Sequence, residues 1–129
     1  MLNKTIISGR FTDTPELRYT TTGVAVSTFT LAVRRDYKKD GKEITDFLTC
    51  VAWKKTAEFL STYFHRGDMA TVCGSLETRK FEDKNGNSRT MYEIRVENIY
   101  FAGSKPKDGE TQPPTLQDYE EINEDGLPF

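Results

Sequence analysis

The chain has 129 residues, 36% apolar content and a formal net charge of -2, which allows one domain with a modest accessory segment and excludes a large two-lobed catalytic core. No apolar run approaches the roughly 18 residues of a membrane span and the amino terminus lacks a signal-peptide core, so a cytoplasmic protein without a membrane partner is expected. Charge is uneven: residues 1–103 hold 16 Lys plus Arg against 13 Asp plus Glu, net +3, whereas residues 104–129 hold 2 against 7, net -5, so a mildly basic body carries an acidic tail.

Residues 2–11 read as a first strand rich in β-branched side chains, ended by the turn run Thr12, Asp13, Thr14, Pro15. A short strand over 16–19 is followed by a turn at Thr20, Thr21, Thr22, Gly23. In the next strand the apolar parity moves from Val24 and Val26 to Phe29, Leu31 and Val33, which predicts a β-bulge at Ser27 and Thr28. A polar excursion from Arg34 to Thr45 turns at Asp40 and Gly41. It returns into residues 46–53, where Leu48, Cys50 and Ala52 share a face fit for a core while Phe47, Thr49, Val51 and Trp53 share the other.

After Trp53 the period changes: Ala57, Leu60 and Phe64 follow helical spacing, with Phe59 and Tyr63 widening the stripe. Thr56 is the expected cap, Glu58 the acid of the first turn, and His65, Arg66 and Gly67 the end. Residues 69–81 form the next strand, and 83–87 give the strongest hairpin signal. On the return, Tyr92, Ile94 and Val96 give way to Ile99 and Phe101, predicting a second bulge near Glu97 and Asn98. The expected fold is therefore all-β: a five-stranded barrel of the oligonucleotide/oligosaccharide-binding (OB) fold, with one short helix between the third and fourth strands. It occupies residues 1–103. Residues 104–129 hold too few apolar groups to offset the entropy of ordering and are expected to be a disordered acidic tail.

Cys50 and Cys73 are the 2 cysteines, each alone in a strand-like run, so both read as reduced thiols, with neither a disulfide framework nor a zinc pattern. No cofactor or metal is expected. His65 has no evident partner for catalysis and no phosphate-cradling glycine loop is present.

A different chemistry is better supplied. Tyr37, Phe47, Trp53 and Phe81 are interleaved with Arg34, Arg35, Lys38, Lys39, Lys54, Lys55, Arg79 and Lys80. Each ring taken singly could equally form a cross-strand pair or fill a core. Together they offer base stacking, about 1–3 kcal/mol per base and tolerant of base identity, beside cations for phosphate. At the far end Glu124, Asp125, Gly126, Leu127, Pro128 and Phe129 are either a solubilising end or a short motif captured in a hydrophobic pocket with a basic rim.

The runs Ile6-Ile7-Ser8-Gly9-Arg10-Phe11, Asp13-Thr14-Pro15-Glu16-Leu17-Arg18-Tyr19, Gly23 through Val33, Gly74-Ser75-Leu76-Glu77-Thr78-Arg79 and the terminal Asp125-Gly126-Leu127-Pro128-Phe129, in this order, resemble the bacterial-type single-stranded DNA-binding protein family. The resemblance implies an OB barrel assembled as a homotetramer that wraps single-stranded DNA with little sequence preference. It also implies base stacking by Tyr37, Phe47, Trp53 and Phe81, with phosphate contacts at Lys55, Arg66 and Lys80. Where well-known members carry tryptophan at the positions of Tyr37, Phe47 and Phe81, and phenylalanine at that of Trp53, stacking survives the exchange. The terminal tip is implied to dock onto replication, recombination and repair enzymes, and the short linker fits a phage or mobile-element origin. The +3 and -5 division adds the expectation that the tail transiently occupies the basic groove. The reading is thus a non-catalytic single-stranded DNA-binding protein. The rivals are an OB module for structured RNA or a protein partner, and a small magnesium-dependent nuclease.

Overall fold

The computed structural model describes residues 1–103; residues 104–129, with the expected tail and its tip, lie outside the described residues. Chain order is β1 (Thr5–Phe11), β2 (Arg18–Tyr19), β3 (Ala25–Lys39), β4 (Lys42–Trp53), α1 (Lys54–Tyr63), β5 (Met69–Glu82) and β6 (Ser88–Phe101). The long strands follow the spatial order β1-β5-β6-β4-β3, and β3 returns to β1 through Arg10 opposite Ala32 and Phe11 opposite Leu31. That contact closes the sheet, so the barrel has no open edge between β1 and β3. β4 and β6 run parallel where Cys50 faces Ile94 and Val51 faces Arg95. The result is the expected OB barrel with its helix between the third and fourth long strands.

Alternation decides which side chains fill the barrel. Phe29, Leu31, Cys50, Ala52, Val72, Ile94 and Ile99 are buried, while their odd-numbered or even-numbered neighbours face out. Phe11 stacks on Phe29 at 4.8 Å and on Phe64 at 5.1 Å, and Phe64 stacks on Phe101 at 4.3 Å. Each buried phenylalanine contributes about 1.5–3 kcal/mol by leaving water. Helix α1 is too short to persist alone; it closes the barrel by burying Thr56, Ala57, Phe59 and Leu60. Burial also pushes the Cys50 thiol up to about 12, so this cysteine is an inert core group at neutral pH.

Beyond the barrel, the alternation stops. Residues from Arg34 to Glu43 on β3 and β4, and from Leu76 to Glu82 on β5, are exposed on both faces, so two hairpin arms project from the body. In the first, Asp40 and Gly41 hold φ of 52° and 76°, the pair of positive values that the expected two-residue turn requires. In the second, Asp83 closes the turn: Oδ1 accepts the N–H groups of Asn85 and Asn87 at 2.9 Å, and Oδ2 accepts Arg89 Nε at 2.8 Å. These donors hold the Asp83 carboxyl below its ordinary range.

Two local expectations require correction. The bulge at Ser27 and Thr28 is absent: β3 and β4 stay in register from Val26 opposite Trp53 to Arg34 opposite Thr45. Ser27 takes the core position and Val26 the outer one, because the outer face at this point is itself apolar. Helix α1 starts at Lys54, with Trp53 as N-cap and no capping side chain. Thr56 is buried instead of capping, Glu58 falls past the first turn, and the helix ends at Tyr63, ahead of His65, Arg66 and Gly67. The second bulge stands where expected: Cys73 faces Asn98 and Gly74 faces Val96, leaving Glu97 as the extra residue.

Candidate nucleic-acid interface

The outer face of β4 begins with Phe47, 66% exposed, and ends with Trp53. Between them stand Thr49 and Val51, so the surface is shallow and uncharged along the strand. At about 3.3 Å per residue the two rings lie roughly 20 Å apart, a separation that spans several nucleotides of an extended strand. Across β3, the row Phe47, Ala32, Arg10 carries the face onto β1.

Trp53 is the junction of two hollows. In one, of about 410 Å³, it lies with Val26, Thr28, Arg79 and Glu93; in the other, of about 550 Å³, with Lys54, Lys55 and Val96. Arg95 lines both, and its guanidinium stands 5.8 Å from the Trp53 ring centroid. A cation over a half-buried indole stiffens the ring and adds a charge beside it. Val26 and Thr28 continue the first hollow into a third, of about 660 Å³, shared by Asp13, Arg18 and Arg66. There Thr14 Oγ1 accepts the Arg66 backbone N–H at 3.0 Å, fixing the Arg66 loop against the β1–β2 loop.

The expected site residues thus divide. Trp53, Lys54, Lys55, Arg66 and Arg79 share this connected trough, and Phe47 lies on the same strand face. Tyr37, 58% exposed, and Lys38 and Lys39 stand on the first arm; Phe81, 43% exposed, stands on the second, opposite Arg89. Lys80 alternates with Phe81 and so addresses the opposite face of that arm. The arginines are not bare. Arg34 lies 3.3 Å from Glu43, Arg79 2.9 Å from Glu93, and Arg35 makes a forked contact with Asp46. These contacts raise the already high pKa of Arg35 and Arg79, and the Arg35 guanidinium holds the Asp46 carboxyl below its usual value. Lys38, Lys39, Lys54, Arg66 and Lys80 have no such ion pair among the described residues.

Arg95 and Arg18 join the trough without a sequence pattern that marks them. Arg95 lies between Ile94 and Val96, both buried, so alternation alone turns it outward. What places it over Trp53 is the parallel contact of β4 with β6, which strand patterns do not reveal. Among the described residues no group of three or more His, Cys, Asp or Glu is placed to hold a metal ion, and no helix is long and apolar enough to cross a membrane.

Comparison with known proteins agrees with this architecture. Single-stranded DNA-binding protein 2 of Listeria monocytogenes is 39% identical over 121 residues, 93% of this chain and 74% of that one. Single-stranded DNA-binding protein A of Bacillus subtilis is 41% identical over 110 residues, 84% of this chain and 63% of that one. The chain therefore spans about two thirds to three quarters of the length of these relatives. A solved Plasmodium falciparum SSB in complex with ssDNA superimposes with a TM-score of 0.72 at 26% identity, over 80% of this chain and 96% of that one. The model of the single-strand binding protein family matches residues 2–102, and with barrel, helix position and relatives in agreement, the chain belongs to that family.

Proposed function

We propose that this chain binds single-stranded DNA with little regard to sequence and performs no catalysis of its own. The observation that carries the reading is the trough through Trp53, where an indole beneath Arg95 joins hollows lined by Lys54, Lys55, Arg66 and Arg79. Stacking on Tyr37, Phe47, Trp53 and Phe81 accepts any base, because every base has a π face. The lysines and Arg66 supply phosphate attraction.

Assembly as a homotetramer belongs to the same proposal. Its support is the family together with exposed apolar side chains on three strands, Ile6 on β1, Leu76 on β5 and Tyr92 on β6, at 70%, 44% and 63%. Recruitment of replication, recombination and repair enzymes is assigned to Glu124, Asp125, Gly126, Leu127, Pro128 and Phe129, which lie outside the described residues. Its support is the tip's chemistry and the family.

Titrating poly-dT while following Trp53 fluorescence, over a range of salt, tests the reading. Quenching with an affinity that falls with salt is expected, and replacement of all four rings by alanine, which removes the one tryptophan and so is followed by the anisotropy of labelled oligo-dT, should weaken binding by about a hundredfold or more. A quadruple variant that folds and binds oligo-dT like its parent would refute it, and a preference for structured RNA over poly-dT would transfer the assignment to RNA.

A further inference from the structure

Arg35 has the charge and position of a phosphate-binding cation, yet its donors are already directed elsewhere. Nε and one terminal nitrogen donate to the two Asp46 oxygens at 2.8 and 3.0 Å, and the other terminal nitrogen donates to Tyr37 Oη at 2.8 Å. The guanidinium carbon lies 5.9 Å from the Tyr37 ring centroid. A planar five-donor group with three donors satisfied this way is committed in orientation, not only in charge.

The backbone explains why a side chain is needed there. The β3–β4 ladder lapses between Arg34 and Lys38, and Tyr37 sits within the lapse. Tyr37 has no paired residue across the hairpin, so an exposed ring at this point would sample many rotamers and lose that freedom on stacking. Asp46 belongs to the regular part of the ladder, opposite Val33 and adjoining Phe47. Arg35 therefore connects the irregular segment to the regular one, and one stacking ring to the neighbourhood of the next.

We infer that Arg35 is a positioning residue, which holds the Tyr37 ring presented to an incoming base while Asp46 anchors it, and that it is not a phosphate ligand. The inference rests on the DNA-binding reading above and assigns roles within it. Phosphate attraction on this arm then falls to Lys38 and Lys39.

The test compares Arg35→Met, Arg35→Lys, Tyr37→Ala, the double variant Arg35→Met with Tyr37→Ala, and Lys38→Met, each binding oligo-dT across salt concentrations. Arg35→Met should weaken binding about as much as Tyr37→Ala, about fivefold or more, and the double variant should be no weaker than Tyr37→Ala alone. The slope of log affinity against log salt should stay at the parent's value. Lys38→Met should make the slope shallower by about 0.7, as loss of one phosphate contact does. Arg35→Lys keeps the charge and loses the fork, so it should behave like Arg35→Met. A shallower slope in Arg35→Met, full additivity with Tyr37→Ala, or rescue by lysine would overturn the assignment. Should the parent not bind oligo-dT, the DNA reading falls, and the NMR signals of the Tyr37 ring still decide this point without DNA. An unmoved ring in Arg35→Lys would count against Arg35, and a newly averaged ring would uphold its hold on Tyr37.

Discussion

The two hairpin arms leave the same barrel with the same kinds of residue, a ring and several cations, but they are held by different means. On the β5–β6 arm the backbone does the holding: pairing is unbroken from Gly74 opposite Val96 to Glu82 opposite Ser88, and Phe81 is one rung of that ladder. On the β3–β4 arm the ladder lapses, and a side-chain bridge from Asp46 through Arg35 to Tyr37 takes over. An arm fixed by its main chain can vary its surface charges without moving its ring. An arm fixed by an arginine cannot.

The largest expected effect comes from the root of the stiff arm. At Gly74 an added Cβ would stand 2.0 Å from the Arg95 carbonyl oxygen and 2.9 Å from its carbon, both main-chain atoms of the bulged partner strand. Gly74→Ala should destabilise the fold by about 1–3 kcal/mol in urea unfolding and disturb Arg95 over Trp53. A variant as stable as its parent would show that the bulge yields readily and that this arm is not rigidly rooted.

A smaller effect separates charge from ring position. Glu93 occupies Arg79 and stands directly opposite Glu77, so removing its charge frees an arginine and relieves a like-charge pair. In Glu93→Gln, the salt slope of DNA binding should steepen by about 0.7, with tighter binding at low salt and no change in the contribution of Phe81. An unmoved slope would mean that Arg79 never reaches phosphate.

The smallest effect lies at the turn. The Asp83 carboxyl is held below its ordinary 3.8 by Arg89 and by the Asn87 and Asn85 amides, so its ionised form favours the folded state. That contribution is present above pH 3.8 and is lost as pH falls through the lower folded-state value. Asp83→Asn should therefore melt slightly below the parent at neutrality and draw level with it as pH falls below the folded-state value, so that its acid dependence is the weaker of the two. An identical acid limb would remove Asp83 from the account of this turn.

Much of this was legible in the chain itself, and the exceptions have physical causes. The alternation over 46–53 separated the core face from the ring-bearing face because one side of β4 is buried and the other open. The bulge at Glu97 was readable because Val96 and Ile99 are both core residues. The same parity argument failed at Ser27 because Val26 lines the trough: an apolar residue placed outward for the site imitates a core residue. The helix start was hidden because Trp53 caps it without a side-chain signal. The pairings of Arg35 with Asp46 and Arg79 with Glu93 join residues 11 and 14 positions apart, and the meeting of Arg95 with Trp53 depends on a parallel contact. Those are products of tertiary geometry, and no local pattern encodes them.

At the step from β4 into α1, Lys54 holds φ of 59°, a left-handed conformation that costs a side-chain-bearing residue roughly 1–2 kcal/mol relative to its usual backbone. Glycine would relax there at little steric expense, yet it would take one of the two ammonium groups, Lys54 and Lys55, from the mouth of the Trp53 hollow. The chain is thus locally less robust than its architecture permits, and a search for thermostable variants would be drawn to glycine at this joint while eroding the trough it borders.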